Sequence, residues 1–307
     1  MANLLSLRTA AWVIIAYLAM AFAMGANAAE EERTLELQKV EQFRPYTSVV
    51  INGIETSALL DTGATIPLIS DGYFATDPEP HEDESVARIL GVGGQRTYPV
   101  ASLPHLAVGA KSWTDLRVAV NTENRYPVQL SILPISLFET RVVDFDFSND
   151  RVLLYDGRPK RVRHARRTWV DYQEANDLIL VPIKINSVRG LALIDTGADM
   201  SFVNPEFAEA AGAKIDEERT ALIRGSDLNR NKASVFKFRR LIFADNEMRR
   251  FSLPALETDL FSELGYGDQP MMVMGMDLLR NFRLQVDRER RRIYFIHDRT
   301  ALRASNS

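Results

Sequence analysis

The sequence predicts an all-β protein of two lobes related by internal duplication. Three observations carry this. An apolar run ending on an aspartate occurs twice, as Leu59-Leu60-Asp61-Thr62-Gly63-Ala64 and as Leu193-Ile194-Asp195-Thr196-Gly197-Ala198, 134 residues apart. A second pair of segments, Ile132 to Phe138 and Val273 to Leu279, recurs at an offset of 141 residues, which still holds at Asp146 and Asp287 and at Val152 and Ile293. Between these landmarks, short apolar stretches alternate with turn residues, the pattern of an all-β domain.

The chain has 307 residues, enough for two domains of ordinary size. The first lobe is expected over 46–156 and the second over 178–298, with a basic, solvated linker over 157–177 that holds Arg158, Lys160, Arg161, Arg163, Arg166 and Arg167. Sharper readings of that linker are a cleavage point between lobes or a patch that touches anionic envelope surfaces.

The N-terminus reads as an export signal over residues 1–28. Arg8 supplies the positive region, Ala10 to Met24 is apolar, and Ala26-Asn27-Ala28 fits a small-x-small cleavage site. An uncleaved anchor is the competing reading, since Ala10 to Ala29 has about the length that spans a bilayer. Either way the folded part is expected to be periplasmic or secreted. Glu30 to Gln42 reads as a short helix or a disordered leader, with structure starting near Tyr46.

From there the elements follow in order. Asn52-Gly53 between Val49-Val50-Ile51 and Ala58-Leu59-Leu60 signals a hairpin that delivers Asp61. Asn186, also nine residues before its aspartate, begins the matching turn between Ile179–Ile185 and Leu191–Ile194. Asn204-Pro205-Glu206 opens a helix that Gly212 ends: an N-cap, a proline at the first helical position, an acid in the first turn. Asp77 to Ser85 reads as a solvated acidic loop. Arg88 to Tyr98 reads as a hairpin with Gly91, Gly93 and Gly94 near its tip. No helix pattern follows those glycines, which rejects a phosphate-cradling loop. Ile223 to Ser234 is its counterpart. Strands are expected at Ser102–Val108, Leu116–Val120, Val235–Phe243 and Phe251–Leu256, and Arg288 to Arg292 reads as an exposed turn.

Composition narrows the function. A formal net charge of −4 argues against nucleic acid as a partner. The chain has no cysteine, which excludes a disulfide framework, a thiolate metal site and a cysteine nucleophile. The four histidines have no metal-ligand spacing. No cofactor and no metal is expected.

The two Asp-Thr-Gly-Ala loops, each behind an apolar pair, resemble the active-site loops of retropepsin-like aspartic proteases. The resemblance covers roughly Tyr46 to Ile296 and points to a bacterial, exported, single-chain form. It implies two retropepsin-like or pepsin-like β-barrel lobes with a short helix or two in each, paired as an internal pseudo-dimer. It implies aspartic endopeptidase activity with Asp61 and Asp195 as the catalytic pair. Carboxyls facing each other at close range cannot both ionise. They are therefore expected to share a proton and to activate a water between them. Thr62 and Thr196 are implied to hydrogen-bond across the lobes, with Gly63 and Gly197 baring backbone N–H groups. Asp199 is implied to lie near the substrate backbone, where the first lobe has Thr65. The Arg88–Tyr98 hairpin, with Gly93, Gly94 and Tyr98, is implied to be a flap over an extended peptide substrate. One departure stands out: Pro134 occupies the place of Gly275. It favours the alternative function, a catalytically weak peptide-binding or regulatory module on the same fold.

Overall fold

The computed structural model describes residues 32–38, 44–75, 86–91, 94–122, 131–224 and 230–297. The expectations for the export segment, the acidic loop, Gly93 and the tip of the second hairpin at 225–229 lie outside these residues.

The first half holds β1 (Arg33–Gln38), β2 (Tyr46–Ile51), β3 (Ile54–Asp61), β4 (Leu68–Ser70), β5 (Val86–Gly91), β6 (Gly94–Val108), β7 (Lys111–Asn121), β8 (Ser131–Pro134), β9 (Val142–Asp146) and β10 (Arg151–Tyr155). The second half holds β11 (Arg166–Asp171), β12 (Gln173–Ala175), β13 (Leu178–Ile185), β14 (Val188–Ile194), β15 (Phe202–Val203), α1 (Pro205–Ala210), β16 (Lys214–Arg224), β17 (Arg230–Phe243), β18 (Asn246–Ala255), α2 (Asp259–Glu263), β19 (Met271–Met274), α3 (Met276–Leu279), β20 (Arg283–Asp287) and β21 (Arg292–His297). The protein is all-β with few short helices, as the sequence predicts.

The hairpins that aim the aspartates form as their turn residues dictate. Ile51 pairs with Ile54 around Asn52 and Gly53, whose φ values of 48° and 84° suit a tight hairpin turn. Asn186, at φ 53°, turns β13 into β14. Each asparagine also pins its turn to the rest of its lobe. Asn52 Nδ2 donates to the Tyr73 carbonyl and Oδ1 accepts from His105 N–H, both at 3.0 Å. Asn186 Nδ2 donates to Ala211 O at 2.7 Å and Oδ1 accepts from Arg239 N–H at 3.0 Å. In each lobe the aspartate-bearing strand lies parallel to the strand of the second repeated segment, β3 with β8 and β14 with β19.

The lobes share a central sheet in the order β1-β10-β9-β20-β21-β11, three strands from each half. At its middle β9 and β20 run antiparallel, with Phe145 opposite Leu284 and Val143 opposite Val286, all buried. Two sequence expectations are corrected here. Residues 33–38 are not a helix or disordered leader; they form β1, paired with β10 along Arg33 to Glu36 and with β2 at Leu37 and Gln38. Residues 157–177 are not simply a linker; β11 pairs with β21 over its whole length and β12 pairs with β13. Both strands are short and polar. Only Leu35 in β1 and Thr168 in β11 are fully buried, so the period-2 signal is too thin to stand out from the charges around it.

The β9–β20 junction also buries ions. Arg283 reaches Asp144 through Nε at 2.7 Å and Asp146 through Nη1 at 3.0 Å, and Arg141 grips Asp287 at 3.0 Å. All three carboxylates are at most 2% exposed. Such pairs cost desolvation when formed but lock one arrangement of the halves, because breaking them strands a buried charge. Arg288, expected in an exposed turn, is half-buried. Its guanidinium donates to the Ile135 and Phe138 carbonyls of the first lobe.

Candidate active site

Asp61 ends β3, and Asp195 directly follows β14. Each starts a tight turn in which its own carboxylate accepts backbone N–H groups. Gly63 N–H donates to Asp61 Oδ1 at 2.6 Å; Gly197 and Ala198 N–H donate to Asp195 Oδ1 at 2.8 and 3.0 Å. These donors would satisfy a single carboxylate capping its own loop. The rest of the geometry ties the two loops together.

Thr62 N–H donates to Thr196 Oγ1 at 3.1 Å, and Thr196 N–H to Thr62 Oγ1 at 3.0 Å. Each hydroxyl then donates onward into the opposite lobe, Thr62 to Ile194 O at 2.7 Å and Thr196 to Leu60 O at 2.8 Å. Both threonines are at most 2% exposed. A hydroxyl is the smallest group that accepts from one strand end while donating to the other. Serine would serve less rigidly, because the β-branch fixes χ1.

The glycines make room for the opposing carboxylate. A Cβ on Gly63 would stand 2.7 Å from Asp195 Cγ, and one on Gly197 would stand 2.5 Å from Asp61 Cγ. No side chain fits there. The two carboxyls therefore sit within hydrogen-bonding reach of each other, Asp61 buried and Asp195 half-buried. Burial raises the pKa of both. The Asp61 charge lifts Asp195 further, well above the ordinary carboxylate range. Arg44 opposes the rise at Asp61.

Arg44 was not singled out from the sequence. Its Nε lies 3.0 Å from Asp199 Oδ1, so the pair joins the first lobe to the loop of the second. Asp199, expected near substrate backbone, is an exposed side chain in this ion pair, and its carbonyl accepts from Asp277 N–H at 3.2 Å. The 134-residue offset shows what the other lobe carries: Leu178 where Arg44 would recur and Thr65 where Asp199 would. Both halves of the second ion pair are missing together.

A similar exchange surrounds Pro134. In the second lobe Gly275 N–H donates to Ser201 Oγ at 2.9 Å, and that hydroxyl donates to Asp277 Oδ1 at 2.6 Å. The corresponding residues of the first lobe are Pro134, Pro67 and Ser136. Donor and acceptor vanish together, so Pro134 leaves no polar group stranded. It lies opposite Asp61 in the parallel β3–β8 pair with ordinary extended angles. Ser201 and Asp277 escape a motif search because their meaning lies in contacts between segments 76 residues apart.

The flap expectation resolves in part. β5 and β6 form the hairpin, closing at Gly91 opposite Gly94, and it touches α2 of the second lobe. Gly94 begins β6. Tyr98 is only 5% exposed and packs in a small apolar cluster with Leu59, Ala87 and Ile132, against which Ala64 and Ile66 of the first loop lie. It joins the base of the hairpin to that loop.

Comparison with known proteins agrees with this geometry. The aspartyl protease family matches residues 47–133 and 181–278, one region in each half. A solved structure of similar fold is the aspartic proteinase from Irpex lacteus. It has a TM-score of 0.55 at 13% identity, covering 88% of this chain and 98% of that one. At that identity the likeness is one of fold. No curated protein sequence matches. Matched in both halves over more than half its length, the chain belongs to the aspartyl protease family and is a peptide hydrolase.

Proposed function

We propose that the protein is an aspartic endopeptidase that hydrolyses peptide bonds with a water activated between Asp61 and Asp195, acting outside the cytoplasm. The observation that carries the reading is the reciprocal Thr62–Thr196 hydrogen bonding, which seats the two carboxyls face to face over glycines with no Cβ. A pair so placed holds one proton between its members.

Arg44 breaks the symmetry of the pair. It favours the charged form of Asp61, whereas Leu178 offers Asp195 no such cation. Asp61 is then the base that takes a proton from water. Asp195 is the acid that donates a hydrogen bond to the scissile carbonyl oxygen. Attack gives a tetrahedral diol, and return of the proton to the departing amine completes cleavage without a covalent intermediate. The substrate lies as an extended strand between the lobes, under the β5–β6 hairpin, held through its backbone. Action outside the cytoplasm rests on Arg8, the apolar Ala10–Met24 stretch and Ala26-Asn27-Ala28.

Peptide-library cleavage from ~pH 3 to ~pH 7 tests this, with Asp61→Asn and Asp195→Asn beside wild type. Each variant is expected to lose at least about 100-fold in kcat/KM. Full activity in either variant sinks the shared-pair mechanism.

A further inference from the structure

From Gly157 to Val170 the chain carries six cations, Arg158, Lys160, Arg161, Arg163, Arg166 and Arg167, and no acid. The formal net charge of the whole is −4, so the remainder carries −10. The stretch is thus basic without an acid of its own, and it is clamped in place. Lys160 N–H donates to Tyr155 Oη at 3.1 Å, and Lys160 O accepts from Gln285 Nε2 at 3.0 Å. Tyr155 in turn donates to the buried Asp144. Pro159 is buried beside them. The backbone is fixed to the ionic junction of the lobes, and it turns Arg158, Arg161 and Arg163 outward. All three are exposed and have no partner among the described residues.

Next to them lies a recess of about 430 Å³ walled by Arg161, Val162, Ala165, Arg167, Trp169 and Tyr294. Its charged side chains are cations and its flat surfaces are aromatic. The Arg167 guanidinium lies 3.7 Å from the Tyr294 ring centre, and that of Arg292 lies 3.6 Å from Trp169. Arg167 Nε is buried and meets no acceptor among the described residues. Trp169 is 48% exposed. None of these residues belongs to the aspartate loops or the β5–β6 hairpin. β11 stands seven strands from β3 in the sheet order.

The chain also enters the fold here. Glu32 forms an ion pair with Lys160.

We propose that this face, the Arg158–Arg167 stretch with its aromatic recess, docks on a membrane surface of anionic phosphodiester headgroups, with a headgroup phosphate seated between Arg161 and Arg167. Cations clustered near an anionic surface each add attraction that falls off within a Debye length. Exposed tryptophan and tyrosine suit the headgroup layer, where one side of the ring is apolar and the other wet.

The test is flotation of the full chain with phosphatidylglycerol–phosphatidylcholine vesicles and with pure phosphatidylcholine vesicles, at low and high salt. Arg161→Gln/Arg163→Gln is compared with wild type and with Lys184→Gln/Arg239→Gln, which removes the same charge from exposed positions on the second lobe. Wild type and the second-lobe variant are expected to bind the anionic vesicles in a salt-sensitive way. The Arg161/Arg163 variant should bind about 30-fold more weakly. Equal binding by all three proteins, or equal loss in both variants, overturns the proposal. So does a site that takes inorganic phosphate, read as a thermal shift lost in the Arg161/Arg163 variant, without vesicle capture. The readout is binding, so it stands or falls apart from the peptidase reading.

Discussion

Arg44 and Asp199 form an ion pair across the lobe interface, Nε to Oδ1 at 3.0 Å, and the duplicated half replaces both partners with Leu178 and Thr65. The pair is about half exposed on the aspartate side, so it contributes at most about 1 kcal/mol to stability. It also acts electrostatically: burial raises the Asp61 pKa, and the Arg44 charge, beside the hydrogen bonds to the carboxylate, favours the ionised form. Arg44→Gln removes that field and raises the Asp61 pKa. The acidic limb of the kcat/KM profile, which needs the ionised member, is expected to move to higher pH while the melting temperature shifts little. An unmoved acidic limb would mean that Arg44 does not set which aspartate ionises.

Asp195 gives a stability test with a definite sign. Burial and the Asp61 charge raise its pKa in the folded protein. Below about pH 4, the unfolded value, both states are protonated and Asp195→Asn is neutral on this count. As pH rises, the unfolded chain releases a proton that the folded protein keeps, so wild type loses stability relative to the variant. The gap levels off once pH passes the folded value. Asp195→Asn is therefore expected to be the more stable protein at pH 8, with a smaller difference at pH 4. Urea unfolding at the two pH values measures it. A gap that shrinks with rising pH would contradict the buried, coupled pair.

The threonine lattice can be taken apart from either side. Thr62→Val strands Thr196 N–H and removes the donor to Ile194 O; Thr196→Val does the same to Thr62 N–H and Leu60 O. Each change leaves buried polar groups unpaired and is expected to cost about 1–3 kcal/mol. The double variant is expected to cost less than the sum of the two, because the singles break different bonds of one lattice and either loss already loosens the loops that the other bonds brace. A urea-based double-mutant cycle reads the coupling directly. Strict additivity would show that the two loops do not brace each other.

These contacts explain what the sequence could and could not disclose. The hairpins at Asn52 and Asn186, the helix opened by Asn204-Pro205 and the two Asp-Thr-Gly turns rest on local rules of φ, capping and hairpin geometry, so their residues announce them. β1 and β11 rest on pairing with distant strands, and their few inward residues are outnumbered by charges. Arg44, Ser201, Asp277 and Arg288 act through partners in other segments, and a single sequence carries no signal for that. Tyr98 packs with Leu59, Ala87 and Ile132, partners in three separate segments that its place in a glycine-bearing hairpin does not announce. The duplication carries one further clue. Superposing the halves at 134 and 141 residues shows Arg44, Asp199, Ser201 and Gly275 changing together with their partners.

That clue yields a paired experiment at Pro134 and Gly275. Gly275 N–H donates to Ser201 Oγ, and a Cβ there would press within 2.8 Å of Ala198 O. Gly275→Pro removes the donor, leaves the Ser201 hydroxyl with only its bond to Asp277, and forces a ring against the backbone that carries Asp195. It is expected to cost about 3 kcal/mol or more and to abolish peptide cleavage. Pro134→Gly restores an N–H in the first lobe, but Pro67 offers no acceptor. With that buried N–H unpaired it is expected to cost about 1–3 kcal/mol, beyond the smaller effect of a freer unfolded chain, and to leave kcat/KM near that of wild type. Circular dichroism melting and peptide cleavage on the two variants separate these outcomes. A several-fold rise in activity in Pro134→Gly would show that the proline holds the first loop back. Two equally mild variants would show that the close backbone approach at Gly275 is not required.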